Sequence, residues 1–384
     1  MSSFSEILQS LMSFGLPENR TRQNEESKFQ DNRGDDNPSK NRNISFQPVI
    51  KDVLAVKDSL IKKLPIEIID NIIDFAEYWP HTHVSVRQNS AIDSHRITAG
   101  INEDEFLLRS YPLGYIPKEN DPTDLSFQTH SFATNPPTPG YECANSSTEC
   151  TRRNLIYWAE ESKMRGEFPC RKIVFTLQSH DQGWGGIDGC KGTYSNSFTW
   201  FDVGKEEACM FEKPRKLSPG QPGDSNTQGL EIDSGTILQP YFVVSPLTFR
   251  NESLENIDVI CSSRTISPQT DSCITTSRLP RTDQTNISKF NHPLLPDSNV
   301  LQKNVAAEIN TKKHVITWSY DDNIDPESAA GDNLENMGRG RATSNGEYVR
   351  SLKIGQIVTV WGKSRFRNWI NHVEEVMIDI YWAV

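Results

Sequence analysis

The sequence lacks the cysteine patterns of a disulfide framework or a zinc site. Its 384 residues include seven cysteines, and no two of them form a C-x-x-C pair. An odd number of scattered cysteines in a long chain indicates reduced thiols. We therefore expect a cytoplasmic or nuclear protein without a bound metal.

Long apolar runs, a secretory signal and a basic stripe are missing as well. The longest apolar runs have the length of strands, so no segment is expected to span a membrane. The start, MSSFSEILQSLMSFG, has neither a basic n-region nor a long apolar h-region. The net charge is −11 and the mean hydropathy is −0.59. Neither a membrane nor nucleic acid is therefore expected as a partner.

Catalytic signatures are also missing. The chain has no G-x-S-x-G motif. His180 and Asp181 are neighbours, and neighbours on a strand point to opposite faces. Asp321, Asn323 and Asp325 have calcium-loop spacing, but Pro326 stands where an EF-hand needs glycine. We expect a protein that is not an enzyme, with no catalytic residue and no cofactor.

The first part of the chain is polar and then turns helical. Residues 1–55 predict a disordered tail with a possible short amphipathic helix near its start. Residues 56–80 predict a helix, with Pro65 suited to a first helical position and Pro80 ending it. Its apolar stripe is so wide that it needs partners on more than one side; the stripe consists of Ile66, Ile68, Ile69, Ile72, Ile73, Phe75 and Ala76.

Residues 81–384 have the pattern of a β domain. Apolar and polar residues alternate in RKIVFTLQS, HVITWSY, QIVTVWGK and VEEVMIDIYWAV. This period of two is typical of antiparallel sheets with two different faces. We predict a mainly β fold, an antiparallel β-sandwich of jelly-roll or galactose-binding-like form. Disordered or loop insertions are expected at about 213–229 and 262–299.

The phrase SHDQGWGG, residues 179–186, follows directly on a predicted strand. Its glycines permit positive φ, so the chain can turn tightly there. One interpretation is a ligand pocket, in which an indole and polar side chains grip a sugar or peptide. The other is structural, with the tryptophan packed at one end of the sandwich. The ligand-binding candidates are His180, Asp181, Gln182, Trp184 and, in the nearby SFTWFDV segment, Trp200.

Two parts of the chain resemble known proteins. LPIEIIDNIIDFAEYWP resembles the first helix of an F-box, which opens with Leu-Pro-x-Glu-Ile. SHDQGWGG, GTYSNSFTWFDVG, WSYDDNIDPES and the segment from GRGRATSNGEYVR to the final Val384 resemble a family of fungal proteins that join such a helix to a sandwich domain. The residues that match the F-box helix are Leu64, Pro65, Ile68, Ile69, Ile72 and Ile73.

The resemblance implies a substrate-recognition subunit of a cullin-type ubiquitin ligase. The helix would bind a Skp1-type adaptor, and the sandwich would hold an unknown protein or glycan-bearing partner. An F-box has two further helices, whereas this chain turns to strand after Pro80. Two alternatives stay open: a helix that only packs on the sandwich, and a carbohydrate or small-ligand binding module without a ligase role.

Overall fold

A computed structural model describes residues 47–87, 95–100, 102–115, 133–137, 139, 162–212, 242–243, 259–274 and 286–384. Residues 1–46 of the predicted tail and the predicted loop at 213–229 lie outside the described residues.

Two short helices replace the single helix predicted over 56–80. They are α1 (Ile50–Leu60) and α2 (Ile66–Phe75). Pro65 lies at the N-cap of α2, and a proline disfavours helical backbone in the residue before it. The helical region therefore starts before residue 56, inside the range predicted as tail, and breaks ahead of Pro65.

The β domain consists of two antiparallel sheets, as the alternating segments predicted, and of a separate two-stranded ribbon. The first sheet has the order β1-β13-β4-β11, and β2 pairs with β13 beside β1. Its strands are β1 (His81–Arg87), β2 (His95–Thr98), β4 (Cys170–His180), β11 (Lys312–Ser319) and β13 (Ile370–Trp382).

The second sheet has the order β10-β5-β12-β3, with β6 and β7 also paired to β5. Its strands are β3 (Asp104–Arg109), β5 (Thr199–Glu212), β6 (Phe242–Val243), β7 (Val259–Ser267), β10 (Gln302–Lys303) and β12 (Gln356–Ser364). The ribbon pairs β8 (Thr270–Ile274) with β9 (Asn286–Phe290), and two short helices follow, α3 (Ala329–Asn336) and α4 (Glu347–Arg350).

The range 262–299 differs from its prediction as a structureless insertion. It contains the end of β7 and both strands of the ribbon. These strands pair through backbone hydrogen bonds, which polar Ser and Thr side chains do not prevent. A sequence pattern that looks only for apolar alternation therefore misses them.

The core lies where alternation predicted it. Ile173, Phe175 and Leu177 of β4 are fully buried. The matching residues of β13, Val376, Ile378, Ile380 and Trp382, are buried too. The mainly β antiparallel sandwich preceded by short helices is therefore confirmed.

Strand β4 connects the two regions that the sequence singled out. Arg171 and Lys172, at its start, form ion pairs with Asp74 and Glu77 at the end of α2. Its last residue, His180, begins the SHDQGWGG turn. At about 3.3 Å per residue the two regions lie about 30 Å apart, at opposite ends of the strand.

Candidate functional site

Helix α2 has two apolar faces with different surroundings. Ile69 and Ile73, one helical turn apart, are buried in the core. Ile68 and Phe75 lie on the other face, where 45% and 93% of their surface stays exposed. Ile72 lies between them, at helical spacing, and is half-buried. The exposed apolar face of α2, defined here as Ile68, Ile72 and Phe75, is therefore free of the sandwich.

Ion pairs fix which face of α2 points inward. Asp70 lies 2.7 Å from Lys57 Nζ and 3.1 Å from Arg165 Nη1. Asp74 accepts from the Trp79 Nε1–H at 2.9 Å and also pairs with Arg171. Burial acts to raise the pKa of Asp70, but the two cations outweigh it and hold the pKa below its ordinary value. The buried isoleucines and these ion pairs therefore favour the same orientation of the helix.

The six residues that match the F-box helix divide between these environments. Ile69 and Ile73 pack in the core, so as folded they do not reach an adaptor. Leu64 is partly buried against the same core. Pro65 and Ile68 are exposed, and Ile72 is half-buried. Phe75, which the sequence places in the stripe but not among the matching residues, is the most exposed large apolar side chain of the helix.

The SHDQGWGG phrase forms a tight turn held by its own aspartate. Gly183, Gly185 and Gly186 all have φ near +80°. Asp181 is fully buried and accepts three backbone N–H groups: Gly183 at 2.8 Å, Glu308 at 3.0 Å and Ala307 at 2.6 Å. Burial raises the pKa of Asp181, and these three bonds offset part of that effect. Asp181 therefore ties the turn to the segment around Ala307.

Gln182 and His180 also have structural contacts. Gln182 donates to the Trp184 carbonyl at 2.8 Å and accepts from the Ile370 N–H at 3.2 Å. The His180 ring stacks on His372 with ring centroids 4.5 Å apart. Burial, followed by the His180 ring, lowers the pKa of His372 to about 4. Both side chains brace the turn against the start of β13.

The two candidate tryptophans have opposite environments. Trp200 is fully buried, and its Nε1–H donates to Asp202 at 2.9 Å. Trp184 leaves 57% of its surface exposed on the turn. Of the five predicted ligand-binding residues, Trp184 is therefore displayed, His180 is half-buried, and the other three are internal.

The exposed Trp184 has apolar and aromatic neighbours. Ile309 packs directly over Gly183, where an added Cβ would meet the Ile309 Cβ at 2.7 Å. Through Gln182 the turn adjoins the β12–β13 connection, where Phe366 and Trp369 pack edge-on against Phe198. Ile309 and Phe366 are themselves 66% and 50% exposed. This end of the sandwich, the Trp184 end, presents a discontinuous apolar surface.

A charged cluster that the sequence reasoning missed lies on the second sheet. Lys363 is fully buried; its Nζ lies 2.8 Å from Asp104, contacts His292, and is 4.0 Å from Asp202. Burial raises the pKa of Asp202 to about 6 and lowers that of His292 to about 4. Arg365 is also buried here, with its Nη2 2.6 Å from Asp104. No local motif signals this cluster, because separate strands supply its members.

The described part of the chain contains neither a metal-ligand cluster nor a helix that could span a membrane. There, no three His, Cys, Asp or Glu side chains gather as metal ligands would. Within the same residues, every helix is too short or too polar to cross a bilayer.

Comparison with known proteins found no matching family model, no matching curated protein and no matching solved structure. The finer jelly-roll or galactose-binding-like form, and the F-box-like family, therefore stay predictions.

Proposed function

We propose that the protein is a non-catalytic binding protein that docks a Skp1-type adaptor on the exposed apolar face of α2. The observation that carries this proposal is that Phe75 is 93% exposed on a helix whose opposite face is buried. With the adaptor bound, the chain acts as a substrate-recognition subunit of a cullin ubiquitin ligase. This role belongs in the cytoplasm or the nucleus.

The energetics favour docking through this face. Full burial of an Ile or Phe side chain contributes about 1.5–3 kcal/mol each. An amphipathic helix that lays apolar residues at i, i+4 and i+7 into a groove is a common recognition mode. The ion pairs of Asp70 and Asp74 hold α2 in place before binding. Little conformational entropy is then lost when the adaptor binds.

The opposite end of the sandwich is suited to the partner. The exposed apolar face of α2 and the Trp184 end lie at opposite ends of β4. An adaptor on one end therefore leaves the other accessible to a protein or a glycan-bearing partner. Trp184 is the side chain on which such a partner would pack.

Binding of the purified full chain to a purified Skp1-type adaptor tests the adaptor half of the proposal. Isothermal titration should show binding that weakens at least about tenfold in Phe75→Ser and in Ile68→Ser. Leu294→Ser is the matched control, because Leu294 is 70% exposed and lies outside the helices. Absence of adaptor binding by the wild type, or equal weakening by the control, would reject adaptor docking.

A carbohydrate-binding module without a ligase role is the second candidate. The exposed indole of Trp184 on a rigid turn favours it, since sugars stack on displayed aromatic rings. A glycan array with the full chain should then give hits that Trp184→Ala removes while the melting temperature is unchanged. Hits that survive in Trp184→Ala, or an array without hits, would reject this candidate.

A further inference from the structure

A cleft opens at the edge of the sandwich where β3, the edge of the second sheet, faces β1 and β2 of the first sheet. Its volume is about 730 Å³. Ligand pockets commonly range over about 300–1,000 Å³, so the cleft has room for a small organic molecule. Its lining shares no residue with the exposed apolar face of α2 and does not include Trp184, Ile309 or Phe366.

One wall of the cleft is aromatic. Phe106, Phe290 and Trp361 line it, with the Trp361 ring centroid 5.4 Å from that of Phe106 and 5.3 Å from that of Phe290. Both pairs meet edge-on, so the three rings pack as a rigid surface. Such a wall favours a flat or aliphatic ligand body.

The polar part of the cleft is rich in carboxylates. Glu105, Glu374 and Glu375 line it, and two of them have basic neighbours: His95 lies 2.7 Å from Glu105 and Arg87 lies 3.7 Å from Glu375. Three carboxylates therefore face two basic side chains. Asp104 also lines it, but Lys363 and Arg365 neutralise that carboxylate from behind. The balance of charge at the surface of the cleft therefore favours a cation.

One carboxylate oxygen needs a donor. Glu105 Oε1 lies 2.7 Å from His95 Nε2, whereas Glu105 Oε2 is buried without a hydrogen-bond partner among the described residues. A buried carboxylate oxygen without a partner is costly and uncommon in folded proteins. Glu105 lines the cleft and 28% of its side-chain surface stays exposed, so an ammonium or guanidinium group in the cleft can approach this carboxylate and supply the missing charge-assisted hydrogen bond.

We propose that this cleft binds a small organic cation, with its ammonium or guanidinium group at the Glu105 carboxylate and its apolar body against Phe106, Phe290 and Trp361. The aromatic wall adds cation–π attraction when the charge lies near a ring face. This site is independent of adaptor docking and of the Trp184 end.

Phenethylamine and its neutral analogue 2-phenylethanol are the probes for the full chain, because they differ mainly in the cationic group. Titration calorimetry should show that wild type binds the amine at least about tenfold more tightly than the alcohol. Glu105→Gln should reduce that ratio to near one. Glu327→Gln, an exposed glutamate outside the cleft, should leave it unchanged. Equal affinity for the two probes, no binding of either, or an unchanged ratio in Glu105→Gln would overturn the proposal.

Two further measurements separate the alternatives. A diazirine-bearing phenethylamine should label peptides of the wild type that contain Phe106, Phe290 or Trp361. Labelling of other peptides would argue against binding in the cleft. This test does not require that Glu105→Gln folds. The capped dipeptide acetyl-Phe-Lys-amide presents the same cation on a side chain. Tighter binding of the dipeptide assigns the site to a lysine side chain of a protein, and tighter binding of phenethylamine assigns it to a free amine.

Discussion

Helix α2 and the SHDQGWGG turn both place buried and exposed side chains next to each other, but they are held in different ways. In α2, Ile69 and Ile73 enter the core while ion pairs to Asp70 and Asp74 set the rotation of the helix. In the turn, one buried carboxylate, Asp181, collects three backbone N–H groups. In each region some residues anchor the backbone, and others are left free to bind.

This comparison predicts that substitutions in either region fall into two classes. Anchoring residues should change stability, whereas exposed residues should change binding and leave stability nearly unaltered.

Asp181→Ala should have the largest effect on stability. It leaves three backbone N–H groups without their acceptor, and an unsatisfied buried donor costs about 1–3 kcal/mol. The free energy of unfolding should fall by about 3 kcal/mol or more in urea titrations. Asp181→Asn keeps one acceptor oxygen and should cost less. A loss below about 1 kcal/mol in Asp181→Ala would contradict its role as anchor.

Ile73→Ala should have the next largest effect. Truncation of a buried isoleucine leaves a cavity and costs about 2–5 kcal/mol. Ile68→Ala, on the exposed face of the same helix, should cost clearly less because 45% of its surface is already in water. Thermal unfolding of both variants gives the measurement. Equal losses would show that the two faces of α2 are not distinct.

The pH dependence should have opposite signs at the two anchoring aspartates. The cations beside Asp70 hold its pKa below 3.8, so its stabilising contribution is present above that pH and is lost as the pH falls through the folded pKa. Burial raises the pKa of Asp181, so its contribution is present below 3.8 and is lost as the pH rises through the folded pKa. Asp70→Asn should therefore lower the free energy of unfolding more at neutral pH than in acid. Asp181→Asn should lower it less at neutral pH than in acid. Urea titrations of both variants at neutral and acid pH test the two signs. The same sign for both would show that the two aspartates do not differ in this way.

Phe75→Ser and Trp184→Ala should have the smallest effects on stability, within about 0.5 kcal/mol, because both side chains are largely in water. Each variant serves as the control for the other in binding assays. Phe75→Ser should weaken binding of the adaptor and leave binding of any partner at the Trp184 end unchanged. Trp184→Ala should have the opposite effects. A large fall in melting temperature for either variant would show that its side chain is an anchor.

The alternating segments predicted much of the fold. They located β4, β11, β12 and β13 and the buried face of β4, because a period of two follows directly from strand geometry. The ribbon β8–β9 was not predicted, since backbone pairing between polar strands leaves no apolar pattern. Pro65 is a local signal for the break between α1 and α2, since it lies at the N-cap of α2. The prediction used Pro65 as a first helical position but kept residues 56–80 as a single helix.

The candidate sites were predicted less completely. The wide apolar stripe of α2 indicated partners on more than one side. In the structure one side of the stripe is buried in the core and the other is exposed to solvent. Which isoleucines enter the core depends on how α2 packs on the sandwich, where Asp74 pairs with Arg165 and Arg171, two residues distant in sequence. The cleft was not predicted, because its lining residues come from several strands and acquire a shared environment only when the sheets pack.

The local features follow directly from the amino-acid sequence: the period of the strands, the tight turn at Gly183 to Gly186, and the apolar excess of α2. These depend on backbone sterics and on neighbours within one helical turn or strand. Tertiary structure alone decided that Trp200 is buried and Trp184 exposed, that Phe75 faces water, and that Lys363 is enclosed by carboxylates and a histidine. Burial and charge pairing arise from contacts between distant segments, so they are properties of the packed sheets rather than of any one stretch of the chain.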